Sequence, residues 1–407
     1  MNVEELVRAS LQEQADDGVR PPAGFAERVL TVRRRRRTRT IAGLAVATAA
    51  VVAAAVAVPA LDGGDGVRPA SDGQTGDVVA HPDQSPPRDL IAAGNTALAA
   101  FYTTRTTDQP DGDRLVTRTY GLLDQRTGKY EKASKKWAWI DVAPGMRTAA
   151  VLEGELPARR IGVLDLITGK LERWIPVNHP VAGVSWSPDG SKLVATAYSK
   201  NPDRLIDLPD DHPDNDPQPH GSRTGFFVVD AASGDVGAFR ELPQKSAGEF
   251  GFFDGNPRED LEWSRDGELL YVQLAMGADG ENRAWYTLAG AKTEAPAAEK
   301  YAGWPEAGLS PDGKLLASDG NDKGSPLLDP TTGKKVTTVP GQQLLAWADD
   351  KRLIAWGCAP EKCDGKGEYR NQLLLVTVGS EKVVPLSDFR KASATYPGRW
   401  TPMFTAR

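Results

Sequence analysis

The sequence has few of the residues that metal centres and nucleophilic active sites use. Its 407 residues include only two cysteines and four histidines. A structural zinc site needs four Cys or His ligands at suitable spacing, and no second pair stands near Cys358 and Cys363. The sequence therefore predicts no metal site at these cysteines.

Motifs that accompany catalysis are also missing. The sequence has neither the G-x-S-x-G pattern of serine hydrolases nor the H-E-x-x-H pair of zinc peptidases. The stretch "GLSPDGK" from Gly308 is close to a phosphate-binding loop, but Leu315 stands where that loop requires Ser or Thr. We therefore predict no catalytic residues and no cofactor.

The chain has one long run without charge, residues 41–61. A helix of about 20 apolar residues can cross a bilayer. The cluster "RRRRRTRT", which begins at Arg33, directly precedes the run and is expected to stay in the cytoplasm. We predict a single transmembrane helix at the cell membrane, with residues 1–40 cytoplasmic and the rest extracytoplasmic. A cleaved signal peptide ending at the small residues Val58 and Ala60 is the alternative.

Charge is distributed unevenly about this run. Residues 1–40 contain nine arginines and six acidic residues, whereas residues 62–407 contain 40 basic and 49 acidic residues. An acidic outer part argues against a nucleic-acid partner, and we interpret the arginine cluster as a topology signal that contacts anionic lipid. Residues 62–93 are rich in Gly, Asp and Pro, and we predict a flexible tether there.

Two hairpin patterns alternate along the remainder of the chain. The first is "VSWSPDGSKLVAT" from Val184, which returns as "LEWSRDGELLYVQ" from Leu261 and "AGLSPDGKLLASD" from Ala307. The second has an Asp before the turn glycine, as in "GVLDLITGKLERW" from Gly162 and "PLLDPTTGKKVTT" from Pro326. Alternating apolar residues flank each turn, as in half-buried strands. The repeating unit is therefore four strands in two hairpins.

The repeat recurs every 40 to 46 residues, roughly the length of a four-stranded propeller blade. The "WSPDG" signature resembles the propeller repeat of the TolB type, which is grouped with bacterial WD40-like repeats. This resemblance implies an all-β protein with a β-propeller over residues 94–407. Six blades result if the C-terminal strand from Arg399 completes the first blade, and seven is the alternative. The complete prediction adds an N-terminal helical arm and one transmembrane helix.

Cys358 and Cys363 lie close together in "CAPEKC". Outside the cytoplasm, a close and even pair of cysteines favours a disulfide that closes a small loop. Two free thiols are the alternative.

The segment "LPDDHPDNDPQPH" from Leu208 lengthens one connection between hairpins. Its aspartates and histidines could gather a cation, but their spacing lacks the ligand pattern of a calcium loop and the prolines stiffen the chain. We predict a solvated insertion, with a cation site as the alternative.

The N-terminal arm carries apolar residues at helical spacing, Leu6 and Leu11 in one group and Phe25 and Val29 in a second. Forty residues cannot form a core, so these faces pack against the membrane or a partner. The layout is similar to cytoplasmic segments of actinobacterial membrane proteins encoded near extracytoplasmic-function sigma factors. This similarity implies a cytoplasmic protein such as a sigma factor as a partner of Leu6, Leu11, Phe25 and Val29.

Together these features predict a membrane-anchored propeller that binds a protein, an envelope component or a small ligand without catalysing a reaction. The rival is a propeller enzyme, such as a lyase, lactonase or hydrolase, with its site in the central channel. Three or more convergent carboxylates or histidines in the channel would favour the enzyme, whereas an apolar or glycine-lined channel would favour binding.

Overall fold

The computed structural model describes residues 77–206, 218–219, 221–243, 258–274, 282–321, 324–359, 371–390 and 399–407. Within these ranges the chain forms 26 β-strands and one 3₁₀ turn, Ala297–Glu299. The predicted all-β class is therefore confirmed. Among the described residues, no helix is long and apolar enough to cross a bilayer. The predicted arm and transmembrane helix, residues 1–61, lie outside the described residues.

The strands form five sheets, and every pair of neighbouring strands is antiparallel. The first sheet contains β1 (Val78–Val79), β2 (Ala92–Ala93), β3 (Thr96–Asp108), β4 (Arg114–Asp124), β5 (Lys129–Lys132), β11 (Arg204–Ile206), β12 (Gln218–Pro219) and β26 (Trp400–Ala406). The second contains β6 (Trp137–Val142), β7 (Thr148–Glu153), β8 (Ala158–Asp165), β9 (Leu171–Trp186), β10 (Lys192–Tyr198), β13 (Arg223–Asp230) and β14 (Arg240–Glu241).

The remaining sheets are smaller and follow one another along the chain. The third contains β15 (Leu261–Trp263), β16 (Leu269–Gln273), β17 (Arg283–Thr287) and β18 (Lys292–Thr293). The fourth contains β19 (Leu316–Ala317), β20 (Ser325–Leu328) and β21 (Lys335–Val339). The fifth contains β22 (Gln343–Trp347), β23 (Arg352–Gly357), β24 (Gln372–Thr377) and β25 (Val383–Pro385). Successive antiparallel sheets built from consecutive strands are the arrangement expected of a β-propeller.

The long strand β9 explains why the second sheet has seven strands. Its first part pairs with β8 from Leu171 to Pro176, and its second part pairs with β10 from Val181 to Trp186. Val181 also stands opposite Ala158 of β8. The strand therefore ends one four-stranded group and begins the next.

The two ends of the described chain meet in the first sheet. Strand β26 pairs with β3 from Trp400 opposite Thr103 to Ala406 opposite Thr96. The Trp400 ring is almost fully buried, and its centroid lies 5.0 Å from that of Trp356 in the fifth sheet. The predicted pairing of the C-terminal strand with the first strand of the repeats is therefore confirmed. It also packs the last sheet against the first.

The turn of the first hairpin pattern is built by local hydrogen bonds. Ser187 Oγ donates to Asp189 Oδ1 at 2.6 Å and accepts from the Lys192 N–H at 2.9 Å. Gly190 closes the turn with φ of 71°, which favours glycine. Hydrogen bonds from Ser187 and Ser191 lower the pKa of Asp189 to about 2. The same Ser–Asp bond recurs at Ser264–Asp266 and Ser310–Asp312. Ser187, Asp189 and Gly190 therefore serve to build the turn itself.

The predicted tether boundary is wrong. Leu90 and Ile91 are buried in the core, and β1 and β2 join the first sheet. Asp77 forms an ion pair with Arg352, in which Arg352 Nη2 donates to Asp77 Oδ1 at 2.8 Å. A short apolar run within a segment of mainly polar composition suffices to anchor it, so the folded part begins no later than Asp77.

Candidate ligand-binding cavity

Hydrogen bonds join one strand of each sheet or four-stranded group to its counterpart in a neighbouring one. We call β6, the second part of β9, β15, residues 307–309, β22 and β26 the inner strands. Three tryptophans in the first hairpin pattern join them. Trp186 Nε1 donates to Asp141 O at 3.2 Å, Trp263 Nε1 donates to Ser185 O at 3.0 Å, and Trp347 Nε1 donates to Gly308 O at 3.2 Å. In each case the indole N–H reaches the inner strand of the preceding sheet or four-stranded group.

A cavity of about 430 Å³ lies among the inner strands β15, β22 and β26 and residues 306–309. Aromatic side chains and a few charged groups form much of its wall. They include Trp263, Tyr271, Trp347, Phe404, Arg283, Glu299 and Glu306. Turn residues Pro188 and Pro311 also line the cavity, so it lies at the end of the inner strands where the first hairpin pattern turns.

Glu306 is the carboxylate of this wall that has no hydrogen bond or neighbouring charge to offset its desolvation. Glu306 is exposed to solvent, and desolvation by the surrounding protein raises the pKa of its carboxyl to about 7. Both properties are expected of a side chain that faces water inside a confined cavity. The site can therefore present either a neutral carboxyl or a carboxylate near neutral pH.

Two further carboxylates lie on inner strands. Burial, followed by smaller contributions from the negative charges of Asp141, Asp260 and Glu306, raises the pKa of Glu262 to about 8. Burial likewise raises the pKa of Asp141 to about 7. Ser185 Oγ donates to Glu262 Oε2 at 2.7 Å, and the Trp186 N–H donates to Asp141 Oδ2 at 2.8 Å. These two carboxylates therefore also connect one inner strand with the next.

Two of the other charged groups of the wall, Arg283 and Glu299, compensate one another, and the third, Arg265, is exposed to solvent. Arg283 Nη1 lies 3.6 Å from Glu299 Oε2, and its guanidinium lies 4.0 Å from the centre of the Tyr271 ring. Glu299 Oε1 also accepts the Arg265 N–H at 2.9 Å. Both side chains of the Arg283–Glu299 pair are nearly buried. This pair supports the wall and leaves Glu306 with no counter-ion from it.

A second charged cluster lies near the beginning of the inner strands. Asp203, in the insertion between β10 and β13, accepts two hydrogen bonds from Arg118 at 2.6 and 3.0 Å. It also accepts one from Arg258 at 2.8 Å, and the Arg258 guanidinium lies 4.1 Å from the centre of the Trp139 ring. Arg258 Nε donates in turn to Asp260 Oδ2 at 2.8 Å. The cluster joins the first three sheets and covers one face of Trp139.

The residues that flank the predicted insertion, and Gln218–Pro219 within it, join the first sheet or are buried. Strand β11 pairs with β4, Arg204 opposite Leu115, and β12 pairs with β11. Asp203 and Ser222, which flank the insertion, are buried. The physical reason is the length of the β3–β4 hairpin, whose edge supplies hydrogen-bond partners for β11. Most of the acidic segment, residues 207–217 and 220, lies outside the described residues.

The site residues predicted from the sequence are not among those that line this cavity. Leu6, Leu11, Phe25 and Val29 lie outside the described residues. Cys358 follows β23 and is disulfide-bonded, whereas Cys363 lies outside the described residues, so the pairing of the two stays a prediction. Among the described residues no group of three or more His, Cys, Asp or Glu side chains could hold a metal ion.

Sequence reasoning missed the carboxylates of the inner strands. A signal for two of them was available. Glu262 stands immediately before Trp263, where the copy from Val184 has Ser185, and Asp141 holds the same position in the weaker copy "IDVAPGMRTAAVL" from Ile140. Side chains along a strand alternate between its two faces, so this position and the tryptophan position face opposite sides. Glu306 precedes the fourth sheet outside any repeat position, and the sequence carried no comparable signal for it.

Comparisons with known proteins give structural similarities of low identity. No protein-family model matches the chain, and no curated protein matches its sequence. TolB from Acinetobacter baumannii is similar with a TM-score of 0.39 and 14% identity, over 76% of this chain and 66% of that chain. An acylaminoacyl peptidase in complex with Z-Gly-Gly-Phe-chloromethyl ketone is similar with a TM-score of 0.40 and 14% identity, over 79% of this chain and 52% of that chain.

The β-propeller domain of the Trilobed protease from Pyrococcus furiosus, described as having an open velcro topology, is similar with a TM-score of 0.36 and 13% identity. That similarity covers 78% of this chain and 97% of the domain. The chain thus spans about two thirds of the TolB chain and about half of the peptidase chain. Because these TM-scores lie below 0.5, the fold assignment rests on the strand pairing described above.

Proposed function

We propose that this chain is a single-pass membrane protein whose extracytoplasmic six-bladed propeller binds a ligand in the inner-strand cavity without chemistry. The uncharged run 41–61, preceded by the arginine cluster, supports the membrane anchor. The cavity of about 430 Å³, with aromatic walls and one uncompensated carboxylate at Glu306, is the observation that carries the binding role. A signal from the propeller to a cytoplasmic partner of the arm, such as a sigma factor, completes the proposal.

In this proposal six blades take in the described strands except β1, β2, β11 and β12, which extend the first sheet. Strands β26, β3, β4 and β5 form the first, and β6, β7, β8 and the first part of β9 form the second. The third contains the second part of β9 with β10, β13 and β14, and the fourth contains β15 to β18. In the fifth, Leu309 bridges to Leu316 beside β19, β20 and β21, and β22 to β25 form the sixth.

The rival function is catalysis by a general acid in the channel. Asp141, Glu262 and Glu306 favour it, because pKa values of about 7 to 8 suit proton transfer at neutral pH. Two of the three carboxylates, however, already hold neighbouring inner strands together through Trp186 and Ser185. Only Glu306 combines accessible surface with a place in the cavity wall, and one carboxyl group without a partner acid or base favours binding over catalysis.

The test is to fill the cavity. Ala346 lines it, so Ala346→Trp should occupy part of its volume, whereas Val384→Trp alters an exposed position on the fifth sheet. Native mass spectrometry of the full chain, extracted from its own membranes in mild detergent, should find a bound molecule on the wild type and on Val384→Trp. Ala346→Trp should lack it. Equal occupancy in all three proteins would contradict binding in this cavity.

A further inference from the structure

The outer edge of the first blade carries positive charge on a chain that is otherwise acidic. Residues 126–136 contain five basic residues and one acidic residue, whereas residues 62–407 as a whole contain 40 basic and 49 acidic residues. We call this segment, which includes β5 and the connection to β6, the basic stripe. Its five cations are all exposed to solvent, and they are Arg126, Lys129, Lys132, Lys135 and Lys136.

Two cations of the basic stripe are paired with carboxylates. Arg126 Nη2 lies 3.3 Å from Asp124 Oδ2. Lys136 Nζ lies 3.5 Å from Glu153 Oε1, and the same carboxylate also pairs with Arg160 at 2.8 Å. These pairs reduce the positive charge of the stripe without reversing it.

The remaining charged groups around the stripe leave positive charge in excess. On the adjoining segment, Arg88 lies 3.8 Å from Asp83, and Asp89 accepts a hydrogen bond from Gln84. Within the described part of the chain, Lys129, Lys132, Lys135 and Glu131 form no ion pair. All of these groups together comprise seven cations and five carboxylates, so two positive charges remain.

The basic stripe lies in the sheet through which the described chain enters the propeller. Strand β1 follows Asp77 directly and joins the first sheet through β2. The segment after β1 reaches the stripe itself, because the Tyr130 N–H donates to Arg88 O at 2.9 Å. The Leu90 N–H also donates to Gly128 O at 2.8 Å.

The length of chain before Asp77 keeps this sheet close to the proposed anchor. Residues 62–76 separate the uncharged run from Asp77. A segment of 15 residues spans at most about 50 Å when it is fully extended. A surface held so close to a bilayer has an effective concentration on the order of millimolar, so a weak attraction suffices for contact.

A cavity of about 320 Å³ lies between the stripe and the turn of the second blade at residues 166–169. Its wall contains three cations and two carboxylates, namely Arg126, Lys132, Lys136, Asp124 and Glu131, beside the side chains of Leu166 and Ile167. The cavity has room for a phospholipid headgroup next to the exposed lysines.

We propose that the basic stripe docks on the anionic phospholipid surface of the membrane that anchors the chain. This inference rests on the proposed function, which supplies the anchor. Each cation close to an anionic bilayer shifts the docking equilibrium roughly five-fold, so the two charges in excess favour the docked state about 25-fold. Because β5 is the last strand of its blade, docking leaves the inner strands and their cavity accessible to a ligand.

Lysine footprinting of the full chain in lipid nanodiscs tests this inference. The chain is acetylated in nanodiscs of phosphatidylcholine and in nanodiscs of equal parts phosphatidylcholine and phosphatidylglycerol, and mass spectrometry gives the rate at each lysine. The four lysines of the stripe should react at least about five-fold more slowly in the anionic nanodiscs, and high salt should remove this protection. Lys334 and Lys335, which are exposed at the start of β21, should react equally in both.

Charge reversal tests whether the lysines cause the protection. In the combined variant Lys129→Glu, Lys132→Glu and Lys135→Glu, the remaining Lys136 should lose its protection in anionic nanodiscs. The matched variant Lys334→Glu and Lys335→Glu should leave Lys136 protected. Both variants change only exposed side chains, so the fold should be retained.

The outcomes separate this inference from the function on which it rests. If the chain enters the nanodiscs and the stripe reacts equally in both lipids, or if Lys136 stays protected in the triple variant, docking on anionic lipid is overturned while the anchor stands. Protection by soluble polyphosphate, without protection in anionic nanodiscs, would assign the stripe to a soluble polyanion and also overturn it. If the chain does not enter nanodiscs at all, the anchor and this inference are both wrong.

Discussion

Removal of the Asp203 carboxylate should destabilise the folded chain strongly. Asp203 lies between Arg118 and Arg258, and the side chains of the three are only 5, 10 and 5% exposed. In Asp203→Ala, Arg118 loses both hydrogen bonds to this carboxylate, and Arg258 keeps Asp260 as its acidic partner. Breaking a buried pair by removing one partner costs about 3 to 5 kcal/mol, because the remaining charge stays buried.

Glu153→Ala provides a matched control. The Glu153 carboxylate also lies between two cations, at 2.8 Å from Arg160 and 3.5 Å from Lys136. These side chains are 51 and 48% exposed, so water replaces the lost partner and the expected cost is about 0 to 1 kcal/mol. The free energy of unfolding of both variants can be measured by urea titration, with tryptophan fluorescence as the signal. Similar losses in the two variants would refute the reasoning from burial.

Four further predictions follow from the fold and from the sequence. Deletion of Trp400–Ala406 should abolish cooperative unfolding or cause aggregation, because it exposes the edge of β3, and unchanged melting would show that the strand is dispensable. A reporter fused to the C-terminus should be active only outside the cytoplasm, and changing arginines 33–37 to Glu should weaken or invert this topology. Changing Leu11 and Phe25 to Asp should abolish capture of a cytoplasmic protein in a membrane pulldown and leave insertion intact, whereas equal capture would leave the arm as a topological device. Burial raises the pKa of Glu262 to about 8, so the folded state holds a proton that the unfolded chain has released. The melting temperature should therefore fall as the pH rises from about 4 to 8, and Glu262→Gln should reduce this fall.

Local features of the fold could be predicted from the sequence because local chemistry determines them. The turn at Asp189 and Gly190 depends on residues within five positions, and its hydrogen bonds recur wherever the pattern recurs. The pairing of β26 with β3 followed from the number of strands at the two ends of the repeats. Neither inference required knowledge of contacts between distant blades.

Features that depend on distant contacts could not be predicted in the same way. Asp77 and Arg352 form an ion pair across 275 positions, and Asp203 is joined to Arg118 across 85. Composition suggested a flexible segment around the first residue and a solvated insertion near the second. The cavity also depends on contacts between distant residues, because Trp263, Trp347 and Glu306 come from different sheets or connections and meet only in the folded chain.

Site-specific photocrosslinking tests the central claim, that the ligand binds in the inner-strand cavity, most directly. A photoreactive benzoylphenylalanine in place of Phe404 lies in the cavity wall, whereas the same residue in place of Val336 lies on an exposed strand. After irradiation of intact cells, mass spectrometry of the purified chain should find one adduct of defined mass at position 404, lost in Ala346→Trp, and none at position 336. Adducts confined to position 336, or an adduct at 404 that persists unchanged in Ala346→Trp, would contradict the account.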